Sequence, residues 1–121
     1  MSTALQLQSQ LDSLRGALPE VRGVLVASTD GMAIAHNLVE GDPNRMAAMV
    51  ATALSLGKRL IDSFSGGQFQ ETTVFGQNAQ IFVYASGSRA VLAVVSSVVT
   101  NVGLIHWEAR SAAQKIGQIL G

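Results

Sequence analysis

The chain has 121 residues, of which 48% are apolar and only 13% are charged, and its eight basic and eight acidic residues cancel. A chain of this length can bury a stable hydrophobic core without cross-links. The absence of cysteine excludes disulfides and thiol nucleophiles. Zero net charge gives no long-range attraction to nucleic acid or to an anionic membrane. We expect one domain over residues 1–121, no nucleic-acid partner, and a surface that is uncharged or partly covered by another subunit.

The first segment, residues 2–18, is predicted to be a helix because its apolar residues recur at steps of three and four. Gly16 and Pro19 mark its end. A hairpin follows, since Asp30-Gly31 lies between two apolar runs and glycine accepts the positive φ of a tight turn. Its strands are predicted near Val21–Ser28 and Met32–Leu38.

A second helix is predicted from Pro43 to Phe64, with Asp42 as its N-cap. A helix that packs on one sheet needs an apolar stripe only a little over about 100° wide, but here the stripe covers about half of the circumference. The excess favours a second burial partner, and burial of the whole stripe in the chain's own core is the alternative. Gly57 lies within the stripe, where a close backbone approach would explain its cost to the helix. The stripe comprises Leu56, Met49, Leu60, Ala53, Met46, Phe64, Gly57, Val50, Ile61, Leu54 and Ala47.

Three strands follow the Ser65-Gly66-Gly67 turn, and the short turns between them make neighbouring strands antiparallel. They are predicted at Gln68–Phe75, Gln80–Ala85 and Arg89–Val95. The last is continuously apolar and is predicted to be central, with both faces buried. The first alternates polar residues and is predicted to be an edge, and it has no Pro or Lys to block pairing with another strand. This edge is therefore a candidate dimer seam.

The final segment, Asn101–Leu120, is predicted to be a helix capped by Asn101. The element order is then α-β-β-α-β-β-β-α, which places the chain in the α+β class. Trp107, the only tryptophan, is assigned to core packing, with a partner anchor as the alternative. The predicted buried face of this helix consists of Val102, Ile105, Ala109, Ala112, Ala113, Ile116, Ile119 and Leu120.

No catalytic constellation is found in the sequence. Gly57-Lys58 lacks the first glycine of a phosphate loop, and Arg59 stands where that motif needs Ser or Thr. His36 and His106 have no acidic residue at a helical ligand spacing that would make a metal site. Ser28-Thr29-Asp30 belongs to a turn and has no G-x-S-x-G motif. The sequence therefore predicts no enzyme, no cofactor and no metal.

The N-terminal sequence lacks the basic start and apolar stretch of a signal peptide. The longest apolar-leaning run, Met46 to Gly57, is shorter than the roughly 20 residues that a membrane span needs. These features predict a cytoplasmic protein that does not insert into a membrane.

The GVLVASTDGMAIA hairpin, the long second helix, the three strands and the closing NVGLIHWEARSAAQKIGQIL helix resemble the Roadblock/LC7 domain, most closely its small bacterial members. The resemblance covers about Leu5 to Leu120. It implies a five-stranded antiparallel sheet with the first and third helices on one face and the second on the other. It also implies a homodimer in which the third strands pair edge to edge and the second helices pack together.

Members of this family act as regulators or platforms for Ras-like small GTPases. The resemblance thus implies a non-catalytic homodimer that modulates the nucleotide cycle or the location of such a GTPase. The alternative is a structural adaptor, similar to a dynein light chain, that does not sense nucleotide. No small-molecule ligand is expected, because bulky Leu, Ile and Val residues fill the space between helices and sheet.

The predicted site residues lie on the second helix and the edge strand. The basic residues of the helix are the predicted rim for an acidic GTPase surface, with a solvated face as the alternative: Arg45, Lys58 and Arg59. For the two methionines a direct GTPase contact is the alternative, because Met suits adaptable surfaces. The dimer interface is assigned to Met46, Met49, Val50, Ala53, Gly57, Thr72, Thr73, Val74 and Phe75.

Overall fold

A computed structural model describes residues 2–98 and 100–121 of the chain. The predicted order of helices and strands is confirmed. The elements are α1 (Thr3–Ala17), β1 (Val21–Ser28), β2 (Ala33–His36), α2 (Pro43–Ser63), β3 (Glu71–Phe75), β4 (Gln80–Ser86), β5 (Ala90–Ser96) and α3 (Val102–Leu120).

Each helix begins at a side-chain oxygen that accepts a hydrogen bond from the first turn. Ser2 accepts from the Leu5 amide at 3.2 Å, and Asp42 and Asn101 cap α2 and α3 in the same way. These bonds satisfy backbone N–H groups that have no partner inside a helix. The predicted caps Asp42 and Asn101 are confirmed.

The five strands form one antiparallel sheet in the order β2-β1-β5-β4-β3. Strand β5 is central and its residues 90–94 are buried, as predicted. Strand β3 lies at one edge, also as predicted, and pairs with β4 only. In the β1–β2 hairpin, Gly31 has φ of +95°, which is the conformation for which glycine was expected there.

Strands β2 and β3 are shorter than predicted. Beyond β2, the Asn37 side chain accepts from the Val24 amide at 2.8 Å, and Leu38 packs against Gly23. Before β3, the chain curves through residues 68–70 so that Phe69 packs under α2.

Two hydrophobic layers enclose the sheet. On one face α1 and α3 pack against Phe82, Tyr84 and Leu92, and on the other α2 packs against Val83 and Val91. This is the predicted division of the helices. In the described part of the chain, no helix has the length and apolarity needed to cross a membrane.

Candidate functional site

The outer face of α2 is apolar and exposed. Leu56, Leu60 and Phe64 are 55%, 61% and 88% exposed, respectively, and Met49 is similarly open. At about 100° per residue, Leu56 and Met49 lie nearly opposite the helix side that Ala47 and Leu54 bury on the sheet. The alternative that the whole stripe is buried in the chain's own core is therefore wrong. We name the exposed row the α2 stripe: Met49, Ala53, Leu56, Leu60 and Phe64.

The free edge of β3 presents unpaired backbone groups. The residues that flank β3 are Gln70 and Gly76. The Ala85 amide donates to the Gln70 carbonyl, and the Gly76 amide donates to the Ala79 carbonyl. Residues that bond to the neighbouring strand alternate along an antiparallel pair, so Thr72 and Val74 also bond to β4. Thr73, which lies between them, directs its N–H and C=O away from β4. Strand β3 therefore has the geometry to accept another antiparallel strand.

Two large apolar side chains flank this edge. Val74 pairs with Ile81 and lies on the α2 face of the sheet, whereas Phe75 lies on the opposite face. Both are exposed. The β3 edge thus has unpaired backbone groups and an exposed apolar side chain on each face of the sheet.

Not every residue assigned to the dimer interface lies on this surface. Val50 is only 5% exposed and packs in the core of its own chain beside Leu54. Gly57 also has an intrachain role, because a Cβ there would lie 2.3 Å from Cε1 of Phe69. The close approach at Gly57 is thus made by a ring of its own chain. The other residues assigned to the interface are exposed or half-buried: Met46, Met49, Ala53, Thr72, Thr73, Val74 and Phe75.

The three basic residues of α2 are exposed but do not form a cluster. Arg45 and Arg59 lie on the outer side of the helix, separated by about 21 Å along its axis at about 1.5 Å per residue. Lys58 faces another side and lines a polar cleft with Gln68 and Ser88. A single basic rim is therefore absent from α2.

A polar cluster that sequence reasoning missed connects α3 to the edge strand. Arg110 donates from Nε to Glu71 Oε2 at 2.9 Å and from Nη2 to Oε1. His106 Nδ1 lies 2.8 Å from the Tyr84 hydroxyl and 3.5 Å from Glu71 Oε1. The spacing of His106 and Arg110 places both on one side of a helix, but nothing in the sequence indicates their partner on β3.

The charges in this cluster stabilise each other. The hydrogen bond from Arg110 lowers the pKa of Glu71 from its ordinary value of 4.5, against the opposing effect of burial. Burial, with a smaller effect from the Glu71 charge, raises the pKa of the Tyr84 hydroxyl. Glu71 is thus a carboxylate and Tyr84 a neutral phenol at physiological pH.

Trp107 does not pack in the core, which corrects the prediction. It is 75% exposed. The buried side of α3 is built from Ile105, Ala109 and Ile116, and Trp107 lies about 200° around the helix from Ile105. Its helical phase places it in solvent.

His36 lies on the edge strand β2, whereas His106 lies on α3 beside Tyr84 of β4 and Glu71 of β3. Over residues 2–98 and 100–121, no three His, Asp or Glu side chains gather into a group that could hold a metal ion.

The model of the Roadblock/LC7 domain family matches residues 7–96. No curated protein matches the sequence. Among solved structures, MglB in a tetrameric arrangement has 19% identity and a TM-score of 0.90, over 98% of this chain and 90% of that one. The Roadblock/LC7 domain from Streptomyces avermitilis has 22% identity and a TM-score of 0.87, over 93% and 96%. MglB from Myxococcus xanthus has 19% identity and a TM-score of 0.87, over 95% and 94%.

At these identities the structural likeness shows the fold alone. The family model, in contrast, covers well over half of the sequence and spans β1 to β5. The chain belongs to the Roadblock/LC7 family.

Proposed function

We propose that this chain is a non-catalytic homodimer that binds a Ras-like small GTPase and modulates its nucleotide cycle or location. The observation that supports the dimer best is the exposed α2 stripe next to the unpaired β3 edge. Family membership supports the regulatory role, and MglB in a tetrameric arrangement is an example of assembly by this fold. The proposed site of action is cytoplasmic.

In a dimer with a two-fold axis beside α2 and β3, both subunits would contribute this same surface. Such an isologous interface places stripe against stripe and edge against edge. Complete burial of a large apolar side chain stabilises by about 1.5–3 kcal/mol, and four such side chains lie on each stripe. Helix packing would provide most of the affinity, and strand pairing would set the register.

The GTPase surface is proposed to include Arg45 and Arg59. Both flank the α2 stripe, so they would lie at the rim of a dimer that buries it. Charges at an interface rim mainly increase the association rate and the specificity for a partner of opposite charge. Basic side chains there would suit recognition of an acidic GTPase surface. Lys58 is included in the proposed surface with a smaller role, because it faces the cleft away from the stripe.

The function is tested by capture from the source cell's lysate, supplied with either GDP or a non-hydrolysable GTP analogue, followed by mass spectrometry. The proposal expects a small GTPase enriched in one nucleotide state. It also expects the Arg45→Glu/Arg59→Glu variant to lose the GTPase while remaining dimeric, and Lys58→Glu to retain most binding. Equal capture in both states, or a motor or scaffold without a GTPase, would instead identify the structural adaptor.

The strand seam has a test at two adjacent residues. Thr73→Pro removes an N–H from the free edge without removing a β3–β4 bond, so we expect the dimer dissociation constant to rise about tenfold or more. Thr72→Pro removes an N–H that bonds to β4, so it should lower the stability of the folded chain as well. Sedimentation equilibrium and thermal unfolding separate the two effects. An unchanged dissociation constant for Thr73→Pro would exclude pairing through this edge.

A further inference from the structure

The Glu71 carboxylate links α3 to the edge strand. Helix α3 packs on β4 and β5, and it reaches β3 through the two hydrogen bonds from Arg110 to Glu71. Strand β3 has β4 as its only neighbour in the sheet. This side-chain link therefore helps to hold the otherwise one-sided β3 in place.

His106 can form two different bonds in this cluster. When the imidazole is the neutral Nε2–H tautomer, its Nδ1 accepts from the Tyr84 hydroxyl over 2.8 Å. When it is protonated, Nδ1–H becomes a donor and Glu71 Oε1 is 3.5 Å away, so a small rotation completes a charge-assisted bond.

We propose that His106 is a proton-dependent latch, which on protonation binds Glu71 and fastens the edge strand β3 to α3. Protonation of His106 adds a second cation to the carboxylate already held by Arg110 and so tightens the link. A better-held β3 loses less conformational freedom when its free edge pairs, so the dimer becomes stronger. The effect on dimerisation rests on the proposed function, whereas the latch itself does not.

Among the titratable side chains around His106, Glu71 is the acidic group that can pair with it. Tyr84 on β4 faces the ring, and Arg110 lies one turn further along α3. The nearby Glu108 lines a different groove, against Gln10 and Ser13 of α1. The α1 residues of that groove and all of β5 (Ala90–Ser96) carry no titratable side chain.

The direction of the pH effect follows from the charged pair. The ion pair helps to hold β3 where the imidazole is protonated, and this contribution is lost when a rise in pH removes the proton. Glu71 stays ionised between about pH 5.5 and about pH 8, because the Arg110 hydrogen bond lowers its pKa from the ordinary value of 4.5. Strand β3 should therefore be held more tightly at about pH 5.5 than at about pH 8.

Native-state hydrogen exchange of the β3 amides, corrected for intrinsic exchange rates, tests the latch directly. In the wild type we expect protection at Thr72 and Val74 to rise about three- to tenfold from about pH 8 to about pH 5.5. Glu71→Gln and His106→Gln should abolish this rise. Tyr84→Phe should retain it, because it removes only the bond of the neutral state. The amides of β5, which carries no titratable side chain, are the internal control.

Nitrogen-15 spectra of the histidines give a second readout that packing alone would not change. At about pH 8 we expect neutral His106 to be the Nε2–H tautomer, and Tyr84→Phe to increase the other tautomer. A pH-independent β3 in the wild type, or the same pH dependence in His106→Gln, would overturn the latch.

Sedimentation equilibrium over the same pH range tests the effect on dimerisation separately from the latch itself. We expect the dimer dissociation constant to fall about three- to tenfold toward pH 5.5 in the wild type, but not in Glu71→Gln. A chain that is monomeric at every pH contradicts the proposed dimer, while the exchange data still decide the latch. A dimer whose β3 exchange does not respond to pH contradicts the latch and leaves the proposed function in place.

Discussion

Leu56→Glu is expected to convert the proposed dimer to a monomer. Leu56 lies in the middle of the α2 stripe and faces away from the sheet, so a dimer that buries the stripe would bury two unpaired carboxylates. We expect the dissociation constant to rise about a hundredfold or more. The folded chain should be almost unaffected, within about 0.5 kcal/mol, because the side chain is exposed in the monomer. Light scattering gives the mass, and urea unfolding gives the stability.

Ser55→Glu is the matched control, since it adds the same charge to the neighbouring exposed position outside the stripe. It should leave the dimer intact. Ala53→Glu, one turn before Leu56 on the stripe, should behave like Leu56→Glu. If Leu56→Glu and Ala53→Glu keep the wild-type mass at micromolar concentration, α2 does not form the dimer interface.

Gly117→Ala is expected to destabilise the fold. A Cβ at this position would lie 2.8 Å from the backbone nitrogen of Gly87 and 3.1 Å from the carbonyl carbon of Ser86. Backbone atoms cannot move aside as the end of a flexible side chain can, and the Ser86 hydroxyl also bonds the Ala113 carbonyl of α3. Overpacking costs about 1–3 kcal/mol, which outweighs the gain of up to about 1 kcal/mol from alanine in a helix. We expect a net loss of about 1–2 kcal/mol and a Tm lower by about 4–8 °C.

Gly16→Ala is the control for helix propensity. Gly16 lies in α1, and a Cβ there would meet no atom within 4 Å. It should be neutral or stabilising by up to about 1 kcal/mol. The difference between the two variants measures the close contact of α3 with the β4–β5 turn. Equal Tm values for both variants would show that the contact is not rigid.

The sequence predicted most of the fold because its signals are local. The caps at Asp42 and Asn101, the glycine turn at Gly31 and the apolar run of β5 depend on residues only a few positions apart. Chain reversals by short turns made the strands antiparallel, and continuous apolarity placed β5 at the centre. The width of the apolar stripe on α2 likewise indicated that part of it faces away from the sheet.

Errors arose where the outcome depends on packing between distant elements. Core packing is predicted for Trp107, but the phase of α3 turns its side chain to solvent. Val50 and Gly57 are predicted to lie on the dimer surface, yet Val50 packs on the sheet and Gly57 makes room for Phe69. Periodicity defines an apolar arc on α2 but does not tell which part of the arc the sheet covers.

The sequence by itself therefore determined the elements, their order, the α+β class and the family resemblance, because local propensity and turn chemistry specify them. The tertiary structure decided which half of the α2 arc is exposed and that Thr73 directs its backbone outward. It also brought Glu71, Tyr84 and His106 together from β3, β4 and α3. Such juxtapositions depend on strand register and helix placement, and no spacing within a single segment specifies either of them.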